Sequence, residues 1–210
     1  MAYILGIDTG GTYTDGVIID TETKEIICKA KTLTTRENLV TGLEKCIDSL
    51  EFDRLDEIVS VSVSTTLATN ATVEGRGSEV GLIYMGDEIP ENMPADIVVK
   101  VKGRFDIMGN EKEPIDREEI RAGLETLKGK VKAVAVSGYA SVRNPKHEQE
   151  AAELAREILD VPVVCAHQLT SALGFDHRTI TAVLNGRLIP VISELFGAIR
   201  SMLESKTINA

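Results

Sequence analysis

An α/β fold with a mixed β-sheet covered by helices is predicted by three observations. The first third of the chain opens with three β-rich runs and no helical pattern between them, which reads as an antiparallel meander. From about residue 35 helical and strand periods alternate, the pattern of strands joined by helices that cross the sheet. Of the 210 residues 43% are hydrophobic, enough for one large core or two small ones. A doubly wound, purely parallel sheet does not open with a meander, so the sheet is expected to be mixed.

The meander strands are expected over 3–8, 16–20 and 25–31, separated by a Gly-Gly-Thr turn and by the polar run Thr21-Glu22-Thr23-Lys24. Leu39, Val40, Leu43, Cys46, Ile47 and Leu50 then recur at helical spacing behind a Thr35 cap. Residues 58–63 are apolar and β-branched, a strand, and 65–73 form a helix that starts in a hydroxyl cluster. A further strand covers 79–84. The stretch 86–115 is rich in Gly, Pro and charge, and predicts loops around one strand at 97–101 and an internal subdomain boundary. Asp116, with Glu119 three residues on, has the spacing of a capping box before a helix carrying Ile120, Leu124 and Leu127 on one face. A strand at 133–136, a helix over 146–159, a short strand at 161–165 and a long helix over 178–203 complete the order, with Pro190 expected to kink the last.

Charge excludes one class of partner. Acidic residues outnumber basic ones 33 to 23, a formal net charge of -10, so a nucleic-acid backbone is repelled over most of the surface. Cys28, Cys46 and Cys165 are odd in number and widely spaced, which fits neither a disulfide framework nor a paired-cysteine metal site. They read as core fillers in a reducing cytoplasm. The N-terminus shows no basic leader or small-residue cleavage site. The longest apolar region, 180–203, contains Asn185, Arg187, Glu194 and Arg200, so no membrane segment is expected.

The sharpest motif is Gly6-Ile7-Asp8-Thr9-Gly10-Gly11-Thr12-Tyr13-Thr14-Asp15, at the turn between the first two strands. Adjacent glycines let backbone amides approach a phosphate without interference from a Cβ. Thr9, Thr12 and Thr14 add hydroxyls, and Asp8 at the strand end can hold a magnesium ion through water. A tight hairpin with Gly-Gly at its turn explains the glycines equally well. The flanking acid and threonines tilt the choice to a phosphate clamp. No Gly-x-Gly-x-x-Gly follows a strand and no Gly-Lys-Ser/Thr closes a loop, which disfavours dinucleotide-binding and P-loop folds.

This opening resembles the first phosphate loop of the actin-like ATPase superfamily, whose domains have a ribonuclease H-like fold. The run Ser64-Thr65-Thr66-Leu67-Ala68-Thr69-Asn70-Ala71, followed by Val73-Glu74-Gly75-Arg76-Gly77 and the strand with Val80, Gly81, Leu82 and Ile83, narrows the resemblance to the hydantoinase and 5-oxoprolinase (hydantoinase A) N-terminal domain. Glu113-Pro114-Ile115-Asp116, Arg143-Asn144-Pro145-Lys146-His147-Glu148 and 179–185 extend it over nearly the whole chain. Ser64 departs from the glycine more usual in the family.

The resemblance implies an ATP-dependent hydrolase that phosphorylates the ring carbonyl of a small cyclic amide so that water can open the ring. It implies ATP and Mg2+ as cofactors, and Asp8 and Asp15 as catalytic residues, with Asp8 on the metal. Thr9, Gly10, Gly11, Thr12 and Thr14 would hold phosphate, and Thr65, Thr66, Thr69 and Asn70 would line the substrate side. It further implies that residues 1–210 are one lobe, that a second ATPase lobe supplies the rest of the nucleotide site, and that a separate hydantoinase B-type subunit is a partner. Two other readings stay open: a sugar or small-acid kinase, and a regulatory module that binds nucleotide without turnover.

Outside these motifs the structural explanation is favoured. Arg143, Asn144 and His147 read as an ordinary helix entry at Pro145. His167 and His177, ten residues apart without a partner at ligand spacing, read as solvated loop residues.

Overall fold

The computed structural model describes residues 2–35, 39–73, 75 and 77–208. The start of the first helix between 36 and 38, Glu74 and Arg76 of the family-like run, and the last two residues lie outside the described residues. In chain order the elements are β1 (Tyr3–Thr9), β2 (Tyr13–Asp20), β3 (Ile26–Leu33), α1 (Leu39–Asp48), β4 (Ile58–Thr65), α2 (Leu67–Val73), β5 (Val80–Met85), β6 (Ile97–Lys100), β7 (Arg104–Phe105), β8 (Glu111–Glu113), α3 (Arg117–Leu127), β9 (Ala133–Gly138), α4 (Lys146–Ile158), β10 (Val163–Cys165) and α5 (Phe175–Ser205). They form two compact units, Met1–Arg76 with Val191–Ala210, and Gly77–Pro190.

The first unit holds the predicted mixed sheet, ordered β3-β2-β1-β4, with β1 antiparallel to β2 and parallel to β4. Strand alternation divides its residues cleanly between two faces. Tyr3, Leu5, Ile7 and Ile18 point to a core closed by Leu43 and Ile47 of α1, Leu50, and Leu195, Ala198, Ile199 and Met202 of α5. Gly16 lets α1 sit close, because a Cβ there would stand 2.9 Å from the Cys46 sulfur. Asp20 closes the turn into β3 by accepting from the amides of Thr23 and Glu22, and those bonds hold its carboxyl below the usual aspartate range.

The second unit has its own sheet, β10-β9-β5-β6, in which every pairing is parallel. The single sheet expected from sequence is therefore two, because the strand–helix alternation after β4 closes on itself rather than adding to the meander. Every residue of β5 and β9 is buried, as a central parallel strand covered on both faces requires. Helices α3 and α4 cover one face through Ile120, Leu124, Leu127, Ala151 and Leu154, and Ala182 and Val183 of α5 cover the other. The expected boundary at 86–115 is not where the units divide. That stretch returns as β6 on the edge of β5, then closes the β7–β8 hairpin where loop is expected. Asp116 caps α3 by accepting from Glu118 and Glu119, but Glu119 reaches the Lys102 amide instead of back to its cap.

A buried polar cluster ties the strand ends of this unit. Glu148 is fully buried and accepts from the Gly138 amide at 2.8 Å, the His167 amide at 2.9 Å and His167 Nδ1 at 2.6 Å. His167 is therefore a fixed partner of the core, not a solvated loop residue. Arg178 is also buried, donating to the carbonyls of Ala172 and Gly138. Burial lowers its pKa and the Glu148 charge opposes that shift. The Cys165 thiol is pushed up to about 11, first by burial and then by Glu148, which suits a core filler. His147 stacks on Phe105 with ring centroids 4.0 Å apart and bonds Glu111 at 2.6 Å, so it has the structural role expected of it, in bracing the hairpin.

Helix α5 runs through Pro190 and contributes to both cores. It is long and apolar enough, by length and composition, to cross a membrane, with a mean hydropathy of 1.4 in its most apolar window. Its most buried apolar side chains are used in protein cores, at Ala182 and Val183 in one unit and Leu195 and Met202 in the other.

Close packing in the second unit yields a stability prediction. Gly123 sits inside α3, where alanine normally favours a helix by about 1 kcal/mol. A Cβ there would stand 2.3 Å from Cγ1 of Val99, far inside contact distance. Overpacking should win, so Gly123→Ala is expected to lower stability by about 1–3 kcal/mol in urea denaturation. Adding Val99→Ala should recover part of the loss, and a stabilised Gly123→Ala single variant would contradict the packing.

Candidate active site

The face of the first sheet opposite its core is a set of rows read across β4, β1, β2 and β3. The row nearest the loops is Ser64, Asp8, Asp15 and Lys31, and the next is Ser62, Gly6, Val17 and Lys29. Together they line a concave surface of about 780 Å³. Asp8 and Asp15 are direct cross-strand partners, and Asp15 is the direct partner of Lys31. Lys31 Nζ lies 2.8 Å from both Asp15 oxygens and 4.9 Å from the centre of the Tyr13 ring. Among the described residues the Asp8 carboxylate has no hydrogen-bond or ion-pair partner, and the residue is exposed. Gly6 keeps the floor low, since a Cβ would meet Val17 Cγ1 at 2.9 Å.

The turn that follows Asp8 is a closed hairpin tip. Gly10 donates its amide to the Tyr13 carbonyl at 2.9 Å, and its own carbonyl accepts from Thr34 Oγ1. Thr12 is exposed at the tip, with its carbonyl accepting from the Thr34 amide. Thr9 and Thr14, expected among the phosphate ligands, belong to the other face. They form a row with Thr65 and Thr32, both are buried, and the Thr14 hydroxyl bonds Thr34 at 3.0 Å. The reason is strand parity: a neighbour of Asp8 must point away from it. The two carboxylates thus stand on one face of the sheet, and Thr9 and Thr14 brace the loop from the other.

The hydroxyl cluster divides in the same way. Thr65 donates to the Thr9 carbonyl at 3.0 Å and accepts the Leu67 amide, so it joins β4 to β1 and caps α2. Asn70 donates its side-chain amide to Thr66 Oγ1. Thr66 and Thr69 are exposed. Sequence reasoning missed Lys31, Lys29 and Ser62, although Lys29-Ala30-Lys31 and Ser60-Val61-Ser62-Val63-Ser64 both alternate with strand period and so place their polar members on one face.

The donor set fits a hard divalent cation. Asp8 and Asp15 offer oxygen only, and among the described residues no group of three or more His, Cys, Asp or Glu could enclose a metal. One or two carboxylates with water and phosphate making up the rest is the manner in which magnesium is held beside nucleotides.

The fold belongs to the α/β class with a ribonuclease H-like, actin-like ATPase architecture. The crystal structure of an ATP-dependent caprolactamase from Pseudomonas jessenii superposes with a TM-score of 0.77 at 28% identity, over 97% of this chain and 34% of that one. A nucleotide-free acetone carboxylase superposes with a TM-score of 0.75 at 20% identity, over 95% of this chain and 34% of that one. The chain is a member of the hydantoinase/oxoprolinase N-terminal region family, whose model matches residues 4–159. Among curated relatives it is 31% identical to the caprolactamase subunit alpha of Pseudomonas jessenii, over 96% of this chain and 33% of that protein. It is 29% identical to the acetophenone carboxylase gamma subunit of Aromatoleum aromaticum, over 96% of this chain and 33% of that protein. It spans about a third of the length of these relatives.

Proposed function

We propose that this chain is the phosphate-binding lobe of an ATP-dependent cyclic amidase, in which a lactam carbonyl oxygen is phosphorylated so that the ring can be hydrolysed. The observation that carries the reading is the placement of Asp8 directly opposite Asp15 on an open sheet face beside the Gly10-Gly11-Thr12 tip. Bound with ATP, magnesium would neutralise phosphate charge as it builds up during transfer. Asp8 would hold that cation, with Asp15 supporting it from the next strand. Gly11 and Thr12 meet phosphate at the loop tip, with Thr9, Gly10 and Thr14 keeping the loop in shape. Thr66 and Thr69 face solvent on the substrate side, positioned by Thr65 and Asn70. An amide is a poor electrophile, and loading its oxygen with phosphate makes the carbon open to attack by water; the ring C–N bond then breaks as the nitrogen takes a proton, and a second water hydrolyses the acyl phosphate to carboxylate and free phosphate.

The lactam reading is supported by the relative at 31% identity, named a caprolactamase subunit. A second reading is supported by the relative at 29%, named an acetophenone carboxylase subunit, since a ketone offers the same carbonyl oxygen to a phosphoryl group. Both names denote subunits, which supports a separate partner chain, for which we propose the hydantoinase B type, and the greater length of both relatives supports a second lobe in the same protein.

The test is phosphate release from MgATP by the longer protein that contains this lobe, with the partner chain, across lactams, hydantoins, 5-oxoproline, sugars, and ketones with bicarbonate. Release stimulated by a cyclic amide, with ring-opened product, is expected. Release that needs a ketone and bicarbonate would transfer the assignment to the carboxylases, and accumulation of a stable sugar phosphate would refute both carbonyl readings.

A further inference from the structure

The row Ser64, Asp8, Asp15, Lys31 poses an electrostatic problem when no cation is bound. Two carboxylates that face each other across neighbouring strands repel. Lys31 relieves this by bonding both oxygens of Asp15, and its ammonium also lies near the Tyr13 ring. The pair is about half exposed on each side, so it is weak, and a flexible four-carbon stem lets the ammonium leave at little cost. The Tyr13 face offers it a second resting place on the same surface. A buried or bidentate arginine would be fixed, whereas this lysine is built to be exchanged.

We infer that Lys31 is a resident counter-ion for Asp15, displaced when a divalent cation binds the carboxylate row, and that the released ammonium then meets the polyphosphate arriving with the cation. The inference rests on the reading of this face as a magnesium–nucleotide site. It adds that the site carries its own competitor for the metal, so free cation is held weakly and cation with polyphosphate is held well. A static surface ion pair would instead affect stability alone.

The experiment uses Mn2+ as a paramagnetic probe, with binding to the chain followed by electron paramagnetic resonance, first alone and then with tripolyphosphate. Lys31→Met keeps the stem against Tyr13 and removes the charge. It is expected to bind free Mn2+ about three- to tenfold more tightly, because both competition and repulsion are lost. The ratio of affinity for Mn2+ with tripolyphosphate to that for free Mn2+ is expected to fall about tenfold, since the phosphate partner is gone. Lys31→Arg should restore both values towards wild type, and thermal melts confirm that each variant is folded. Unchanged Mn2+ affinity in Lys31→Met, while Asp8→Asn still loses the ion, overturns the counter-ion role and leaves the site reading intact. Tighter Mn2+ binding with an unchanged ratio overturns the handover to phosphate. Absence of Mn2+ binding in wild type, or equal binding after Asp8→Asn, defeats the site reading and the inference together.

Discussion

Asp8→Asn is expected to reduce lactam-stimulated phosphate release by the complete enzyme about 10²–10³-fold, the usual loss when one preorganised electrostatic group is removed from a transition state. The effect should fall on kcat, because the ring substrate does not depend on this carboxylate for binding. Stability should move the other way or not at all. Asp8 is exposed, has no partner among the described residues, and faces Asp15 across the strand pair, so the amide removes a repulsion. Lost turnover with an unchanged or slightly raised Tm is the signature of a residue kept for chemistry. A fall in both, or retained turnover, would count against the role given to Asp8.

The largest expected effect on folding is at Glu148. Its carboxylate is fully buried and accepts three hydrogen bonds, from two amides and from the His167 ring. Glu148→Ala leaves two amides unsatisfied and removes the anion that offsets the buried Arg178. Breaking a buried charge arrangement in this way costs about 3–5 kcal/mol, a large share of the stability of a domain. Glu148→Gln keeps one acceptor and should cost about 1–3 kcal/mol. Urea denaturation and amide hydrogen exchange check this: protection should be lost across Gly77–Pro190 and largely kept in the meander. A loss below about 1 kcal/mol in Glu148→Ala would show that the cluster contributes little.

Much of this was written in the local pattern. The meander, the Asp116 cap and the face carrying Ile120, Leu124 and Leu127 follow from period and capping chemistry, and the structure has them, with β2 beginning at Tyr13, three residues before the expected start at Gly16. Asp8 and Asp15 stood out because acids flank a Gly-Gly turn. That they face each other depends on register, which the hairpin tip sets and composition does not. Thr9 and Thr14 were grouped with the acids by proximity in sequence, although strand parity already separates them. Hairpin β7–β8 had no apolar alternation to reveal it, since Arg104-Phe105 and Glu111-Lys112-Glu113 are organised by contacts with His147. The division into two sheets was hidden for a related reason: one boundary lies in a short glycine-containing loop and the other lies within a continuous helix.

That helix imposes an order of events at the ribosome. The meander is made first, but Leu195, Ala198, Ile199 and Met202, which seal its core face, follow only after the whole of Gly77–Pro190 has been synthesised. At about 5–20 residues per second that interval lasts on the order of ten seconds. During it Tyr3, Leu5, Ile7 and Ile18 have α1, Leu50 and Phe52 to shield them but not α5, while the later unit gathers nearly all of its strands and helices in one continuous stretch. The part of the chain that carries the Gly10-Gly11-Thr12 turn is thus born early and finished late, and nascent-chain chaperones have their longest opportunity on the sheet whose other face carries Asp8 and Asp15.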